Sequence, residues 1–248
     1  MKMSSNSARK MESSKSNRTK RIIEILIIVV LIPAVLLLSW RIGDRQYYLF
    51  SVIVMILVMI PFFLHFERRR PSARELVTIA VMAAIATVAR AAFVMVPHFT
   101  PMSGIIMIAG IALGPEAGFV VGALTAFASN YVFGQGPWTP WQMFAYGLAG
   151  LLAALLARKG IMGSKHLVRT SIIGGLLILC IIGPLLDTAT LFLESMMVTN
   201  LSAGAIYLSG LPVNAIHGAV TVVTLFVLCR PIQEKLERIK VKYGMMED

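Results

Sequence analysis

Apolar and polar positions along this chain fall into long blocks. Residues 1–21 are polar, Ser-rich and basic without apolar periodicity, which predicts a disordered tail. Apolar runs then occupy 22–40, 47–66, 73–96, 101–113, 116–133, 140–157, 170–187 and 212–229, divided by polar or charged segments. About 20 mainly apolar residues are needed for a helix to cross a bilayer, and most of the runs approach that length. Alternating segments of about ten residues, the mark of a membrane β-barrel, do not occur, so the runs read as helices. The run 22–40 is longer than a signal-peptide core and lacks a small-x-small cleavage site, so it reads as an uncleaved span.

Composition places the chain in the same class. Of 248 residues, 57% are hydrophobic and 14% charged, and the mean hydropathy is +0.79, values for a polytopic membrane protein. A net charge of +11 invites a nucleic-acid reading, but the placement of the charges removes it. The loops 67–75 and 158–169 are both rich in Arg and Lys, so both are expected on the cytoplasmic side. An even number of crossings must separate them. The short run 101–113 therefore has to cross as well, as a short helix in a locally thin region. Eight spans with both termini inside put 20 of the 23 Lys and Arg on the cytoplasmic side, Arg41 and Arg45 outside, and Arg90 within a span. The domains expected are the tail 1–21, two N-terminal helices over 22–66, a six-helix core over 73–230 and a basic cytoplasmic tail over 231–248. Cys180 and Cys229 fall at different depths, which argues against a disulfide and for two buried, small apolar side chains.

Candidate chemistry gathers at one end. Counting at about 1.5 Å per residue from the cytoplasmic ends puts Arg90 about 25 Å in, Asn130 about 21 Å and Asp187 about 27 Å. Asn214 and His217, three apart near the external start of the last span, share a face. His98 and Thr100 follow the third span. Gln135, Trp138, Trp141 and Gln142 lie in or beside FGQGPWTPWQM (133–143). Polar groups inside a membrane are costly, and here they mark a one-sided external pocket with no polar route inward. Each also has a purely structural reading: Arg90 snorkelling to headgroups, Asn130 and the Asn214–His217 pair bonding neighbouring helices, the tryptophans anchoring at the interface. Two rows of small residues, Ala80/Ala84/Thr87/Ala91 and Gly114/Gly118/Gly122, permit close helix approach. Packing within the bundle suffices for the glycine row. The alanine row begins in the cytoplasmic half, where a partner subunit could dock.

No phosphate loop, H-E-x-x-H, G-x-S-x-G or metal-spaced Cys/His set occurs, so neither cofactor nor metal is expected. The segments RELVTIAVMAAIATVARAAF, IAGIALGPEAGFVVGALTAFASNYVFGQGPWTPWQM and LPVNAIHGAVTVV, the last followed by a basic tail, resemble the S component of an energy-coupling factor (ECF) vitamin transporter. The resemblance covers six of the eight spans and is closest to S components for cobalamin or a related corrinoid. It implies an all-α membrane bundle that captures a vitamin externally and is not an enzyme. Its partners would be a transmembrane coupling subunit and two cytosolic ATPases, and it would release substrate by toppling in the membrane. The family's alanine motif for the coupling subunit maps onto Ala80 and Ala84. The ligand would then be met by Arg90, His98, Thr100, Asn130, Gln135, Trp138, Trp141, Gln142, Asn214 and His217. Two N-terminal helices depart from the six-span pattern. A secondary transporter acting alone, or an intramembrane enzyme using His217, Asp187 or His98, are the competing classes.

Overall fold

A computed structural model of the chain describes residues 31, 34, 47–68, 71–194 and 199–244. The basic tail and nearly all of the run 22–40 lie outside the described residues. Within them, regular structure is helical throughout: α1 (Tyr47–Arg68), α2 (Ala73–Ala92), α3 (Met102–Leu113), α4 (Pro115–Phe133), α5 (Thr139–Arg158), α6 (Leu167–Leu177), α7 (Gly183–Glu194) and α8 (Asn200–Tyr243). A wide π turn, Ile178–Ile182, joins α6 to α7. Four stretches, Ala73–Ala92, Thr139–Arg158, Ser164–Leu193 and Asn200–Tyr243, are long and apolar enough to cross a membrane. The sequence PSARE starts α2 with a capping box, in which Ser72 Oγ accepts from Glu75 N at 3.3 Å and Ser72 N donates to Glu75 Oε2 at 3.0 Å.

The short helix α3 is the axis of the bundle. It packs against α2, α4, α5 and α8, and every residue in it except Ile111 is buried. Its 12 residues make a rod of about 18 Å, well short of the roughly 30 Å hydrocarbon core. A thinned membrane is therefore not the reason for its length, because α3 is surrounded by protein instead of lipid. At one end the turns of 93–100 lead into it. At the other, Gly114 turns the chain with φ 97° and Pro115 opens α4 at once. Gly114 thus belongs to a turn, not to the packing row expected with Gly118 and Gly122.

Those two glycines, with Gly110 and Gly150, bring three helix backbones into contact. A Cβ on Gly110 would run into the carbonyl of Gly150, and one on Gly150 into the carbonyl of Gly118. A Cβ on Gly122 would meet the carbonyl of Tyr146. Apolar surface gains little from leaving lipid, so helix association in a membrane depends on such close van der Waals contact. The α4–α5 pair is accordingly the most extensive in the molecule.

Three boundaries differ from the sequence reading. Helix α2 stops at Ala92 instead of 96, because 93–98 form turns in which His98 takes φ 61°. The seventh span extends to 167–194 through the π turn. The last, expected over 212–229, is one 44-residue helix running through Pro212 and Pro231. Its final turns are held against the basic end of the bundle, so the expected tail 231–248 is helical as far as Tyr243. Gln233 and Leu236 are buried there, Lys240 Nζ donates to the Ala112 carbonyl at 3.0 Å, and Arg74 lies 4.9 Å from the Tyr243 ring centre. Lys240 thereby satisfies one of the open carbonyls at the C-terminus of α3. Both cysteines are free; Cys229 is buried as expected, but Cys180 is exposed.

Helix α1 packs on α4, α5 and α7. Phe62 stacks on Phe119 with ring centres 4.1 Å apart and meets Phe144 edge-on at 6.4 Å, while His65 Nε2 stands 3.4 Å from Glu116 Oε1. The second N-terminal helix is thus part of the packed body.

Gly150→Ala forces a methyl group into the Gly118 backbone and should cost about 1–3 kcal/mol. Gly204→Ala, in α8 with open space around it, should be neutral or stabilising by up to about 1 kcal/mol. Thermal unfolding of both variants in detergent checks the contrast, and equal melting points would remove the glycine contact from the account.

Candidate functional site

The same register that seats the glycines builds a polar network at the Arg90 end. Along α4, Gly118, Gly122, Ala126 and Asn130 recur every four residues on one buried face. Along antiparallel α5, Gly150, Tyr146 and Gln142 do the same, so Asn130 arrives opposite Gln142. Asn130 Nδ2 donates to Gln142 Oε1 at 2.8 Å and to Thr139 Oγ1 at 3.1 Å. Its Oδ1 accepts from Arg90 Nη1 at 3.2 Å, and the same nitrogen donates to Ser129 Oγ at 2.6 Å. The Arg90 guanidinium also lies 4.3 Å from the centre of the Phe133 ring, a cation–π contact. Arg90 is therefore anchored to α4 and does not simply extend to headgroups.

The stretch FGQGPWTPWQM folds around Thr139. Thr139 Oγ1 donates to Gln135 Oε1 at 2.9 Å and accepts from Gly136 N at 3.2 Å, and Gln135 Nε2 reaches the Phe127 carbonyl at 3.0 Å. Gly134 takes φ 98° at the end of α4, and Pro140 stands in the first turn of α5. The two tryptophans part company. Trp138 lies over Gly136, 42% exposed, with Nε1 3.4 Å from the Gly134 carbonyl, so it braces its own turn. Trp141 is 4% exposed and stacks on Phe192 of α7 at 6.1 Å.

A second group lies on α7, α8 and the turn that carries His98. His98 and His217 face one another with ring centres 6.1 Å apart. Asn214 turns to α7 and donates to Asp187 Oδ2 at 2.7 Å, while Thr188 and Tyr207 hydroxyls meet at 2.8 Å. The helices approach closely there because Gly183 leaves room for the Asn214 amide and Gly210 for the Asp187 carboxylate. The ten expected site residues therefore divide among the Arg90 network (Arg90, Asn130, Gln135, Gln142), the α7–α8 group (His98, Asn214, His217) and three others, Thr100, Trp138 and Trp141.

Three side-chain atoms stand apart. Thr87 Oγ1, Thr100 Oγ1 and Trp141 Nε1 are buried and have no hydrogen-bond partner among the described residues. A buried donor left unpaired costs about 1–3 kcal/mol, so each needs an explanation. Sequence reasoning named Thr100 and Trp141 but placed Thr87 only in the small-residue row of close helix approach and passed over Ser129, Phe133 and Thr139. Position relative to known polar residues offered a signal: Thr87 precedes Arg90 by three residues, and Phe133 follows Asn130 by three. Ala80 and Ala84 lie elsewhere, on an exposed strip of α2 with Leu76, Val77, Val81, Ile85 and Val88. Among the described residues no group of three His, Cys, Asp or Glu could hold a metal ion.

The model of the family described as ECF-type riboflavin transporter, S component, matches residues 70–234. No curated protein and no solved structure matches the chain.

Asn130→Leu removes the hub of the network and leaves Arg90 and Gln142 short of partners; the expected loss is about 1–3 kcal/mol. Gln135→Ala, at an exposed position, should lose less than about 1 kcal/mol. Ranking the two by thermal unfolding tests whether Asn130 is the hub.

Proposed function

The chain belongs to the S components of ECF-type riboflavin transporters, and on that premise we propose that its Arg90 end, facing outside, binds riboflavin. Family membership makes the chain a multi-pass membrane subunit that captures a vitamin and works with an ECF coupling and ATPase module; the family is not an enzyme class. The observation that carries the ligand site is the trio of unpaired buried donors, Thr87 Oγ1, Thr100 Oγ1 and Trp141 Nε1. A flavin has ring carbonyls and ribityl hydroxyls that accept hydrogen bonds, and a flat ring system suited to an aromatic wall such as Trp141 and Phe192. Polar groups that stay unpaired without ligand also favour specificity, since an analogue lacking the matching acceptor leaves them buried and unsatisfied.

Riboflavin is preferred to the corrinoid expected from sequence for two reasons. The matching family is the riboflavin type. Arg90, the cation among the expected ligand contacts, is engaged by Ser129, Asn130 and the Phe133 ring, so the remaining donors are neutral. His98, from the turn before α3, and His217 of α8 face one another with ring centres 6.1 Å apart at the same end.

The exposed strip of α2 around Ala80 and Ala84 is the surface we assign to the coupling subunit. Its small side chains let a second helix approach closely, and α1 packs on α4, α5 and α7 instead of over it. Positive-inside charge sets the direction: the end carrying Arg158, Lys159, Lys165 and Arg169 faces the cytoplasm.

Trp141→Phe and Thr100→Val should each weaken riboflavin binding by roughly 2- to 12-fold, the worth of one hydrogen bond, while the ligand-free melting point holds. Fluorescence titration of the purified protein reads this; binding of a corrinoid but not of riboflavin would sink the assignment. Ala84→Trp should leave riboflavin affinity unchanged and abolish co-purification with the coupling subunit. Retained co-purification would move the docking surface elsewhere.

A further inference from the structure

At the end of the bundle opposite Arg90, an open groove of about 760 Å³ runs between the 164–169 segment, the start of α6 and the adjacent face of α8. Lys165, His166, Arg169 and Arg230 supply its basic lining with Ser164 beside them, Ile172 and Phe226 much of its apolar wall, and no acidic side chain lines it. The loop that carries these residues is pinned. Thr170 Oγ1 donates to the Gly163 carbonyl at 2.9 Å and accepts from Gly163 N at 2.8 Å, and Arg169 Nη2 donates to the Gly160 carbonyl at 2.6 Å. Arg230 is partly neutralised by Glu234, at 3.0 Å. The side chains of Lys165 and His166 are exposed and have no hydrogen-bond or ion-pair partner among the described residues.

Above the basic rim the apolar wall continues along the outside of the bundle. Val168, Ile172 and Leu176 of α6 and Val223, Phe226 and Val227 of α8 are each 50% exposed or more. The surface is thus cationic at its base and apolar along its length. A soluble anion would use only the base. A lipid with a negatively charged headgroup uses both, with its phosphate among Lys165, His166 and Arg169 and its acyl chains on the α6–α8 strip. Basic pockets between membrane helices at the cytoplasmic boundary bind such headgroups.

The geometry points to a site for one anionic phospholipid in the groove between α6 and α8, distinct from the vitamin site and independent of which vitamin is bound. On the positive-inside orientation it faces the inner leaflet. A lipid seated there would hold the 164–169 loop and α8 together near the point where α8 leaves the membrane.

Native mass spectrometry of the full-length protein, released from neutral detergent after titration with dioleoyl phosphatidylglycerol or dioleoyl phosphatidylcholine, tests the site. The expected result is one phosphatidylglycerol adduct favoured over phosphatidylcholine by about tenfold or more. Each Lys or Arg strengthens attachment about fivefold, so the K165Q/H166Q/R169Q variant should weaken the adduct by about 25-fold or more. The K235Q/R238Q/K242Q variant, which removes three Lys/Arg charges from the α8 tail against two in the groove, should retain it. Should the groove variant fail to fold, K165Q/H166Q touches no internal contact and should still weaken the adduct about fivefold or more. Equal binding of the two lipids, or equal loss in both triple variants, overturns the proposal. So does displacement of the adduct by inorganic phosphate, which indicates a free-anion site. Unchanged phosphatidylglycerol binding in the groove variant, with loss of coupling-subunit co-purification, reassigns the groove to a protein contact.

Discussion

Direct backbone contact at Gly110, Gly118, Gly122 and Gly150 is the constraint on which the rest of this structure depends. In lipid, two helices gain little by hiding apolar side chains from surroundings that are equally apolar. What remains is the fit of one backbone against another, and a missing Cβ allows it only where glycine stands. Because the glycines on α4 and α5 recur at helical spacing, the contact fixes rotation and register together. Eight residues beyond Gly122, the same face presents Asn130, and eight before Gly150 it presents Gln142. Their hydrogen bond at 2.8 Å follows from that register.

Around this seam the two ends of the bundle acquire different characters. At the Arg90 end, charge and amide groups are tied into one network. At the other end α8 folds its last turns under α2 and α3, and Lys240 closes the carbonyl end of the axial helix. Between the ends, the core of the described residues is mainly apolar and glycine-packed.

The additional helix α1 fits the same division of labour. Its phenylalanines stack on Phe119 and Phe144, so it thickens the α4–α5 side of the bundle. It leaves exposed the α2 strip with Ala80 and Ala84 and the α6–α8 surface. Among the described residues, one side is thus covered by α1, while the α2 strip and the α6–α8 surface stay exposed.

Much of this was legible from sequence. Hydropathy placed α4 over 116–133 and α5 over 140–157, one residue from the observed Pro115–Phe133 and Thr139–Arg158 at each end that moved. Counting along spans put Arg90, Asn130 and His217 at a common end, because rise per residue is a local property of a helix. Tertiary structure decided the rest. Arg90 meets Ser129 and Asn130, Asn214 meets Asp187 instead of His217, and Trp138 and Trp141 take opposite roles three residues apart. Hydropathy also placed the limits of the last helix too narrowly, since residues beyond 229 are polar on one side yet bury Gln233 and Leu236 against neighbours. Apolarity, charge and helical period are written residue by residue. Which face meets which is settled only when backbones approach, and here that approach is governed by a few glycines whose partners lie some thirty residues away in the chain.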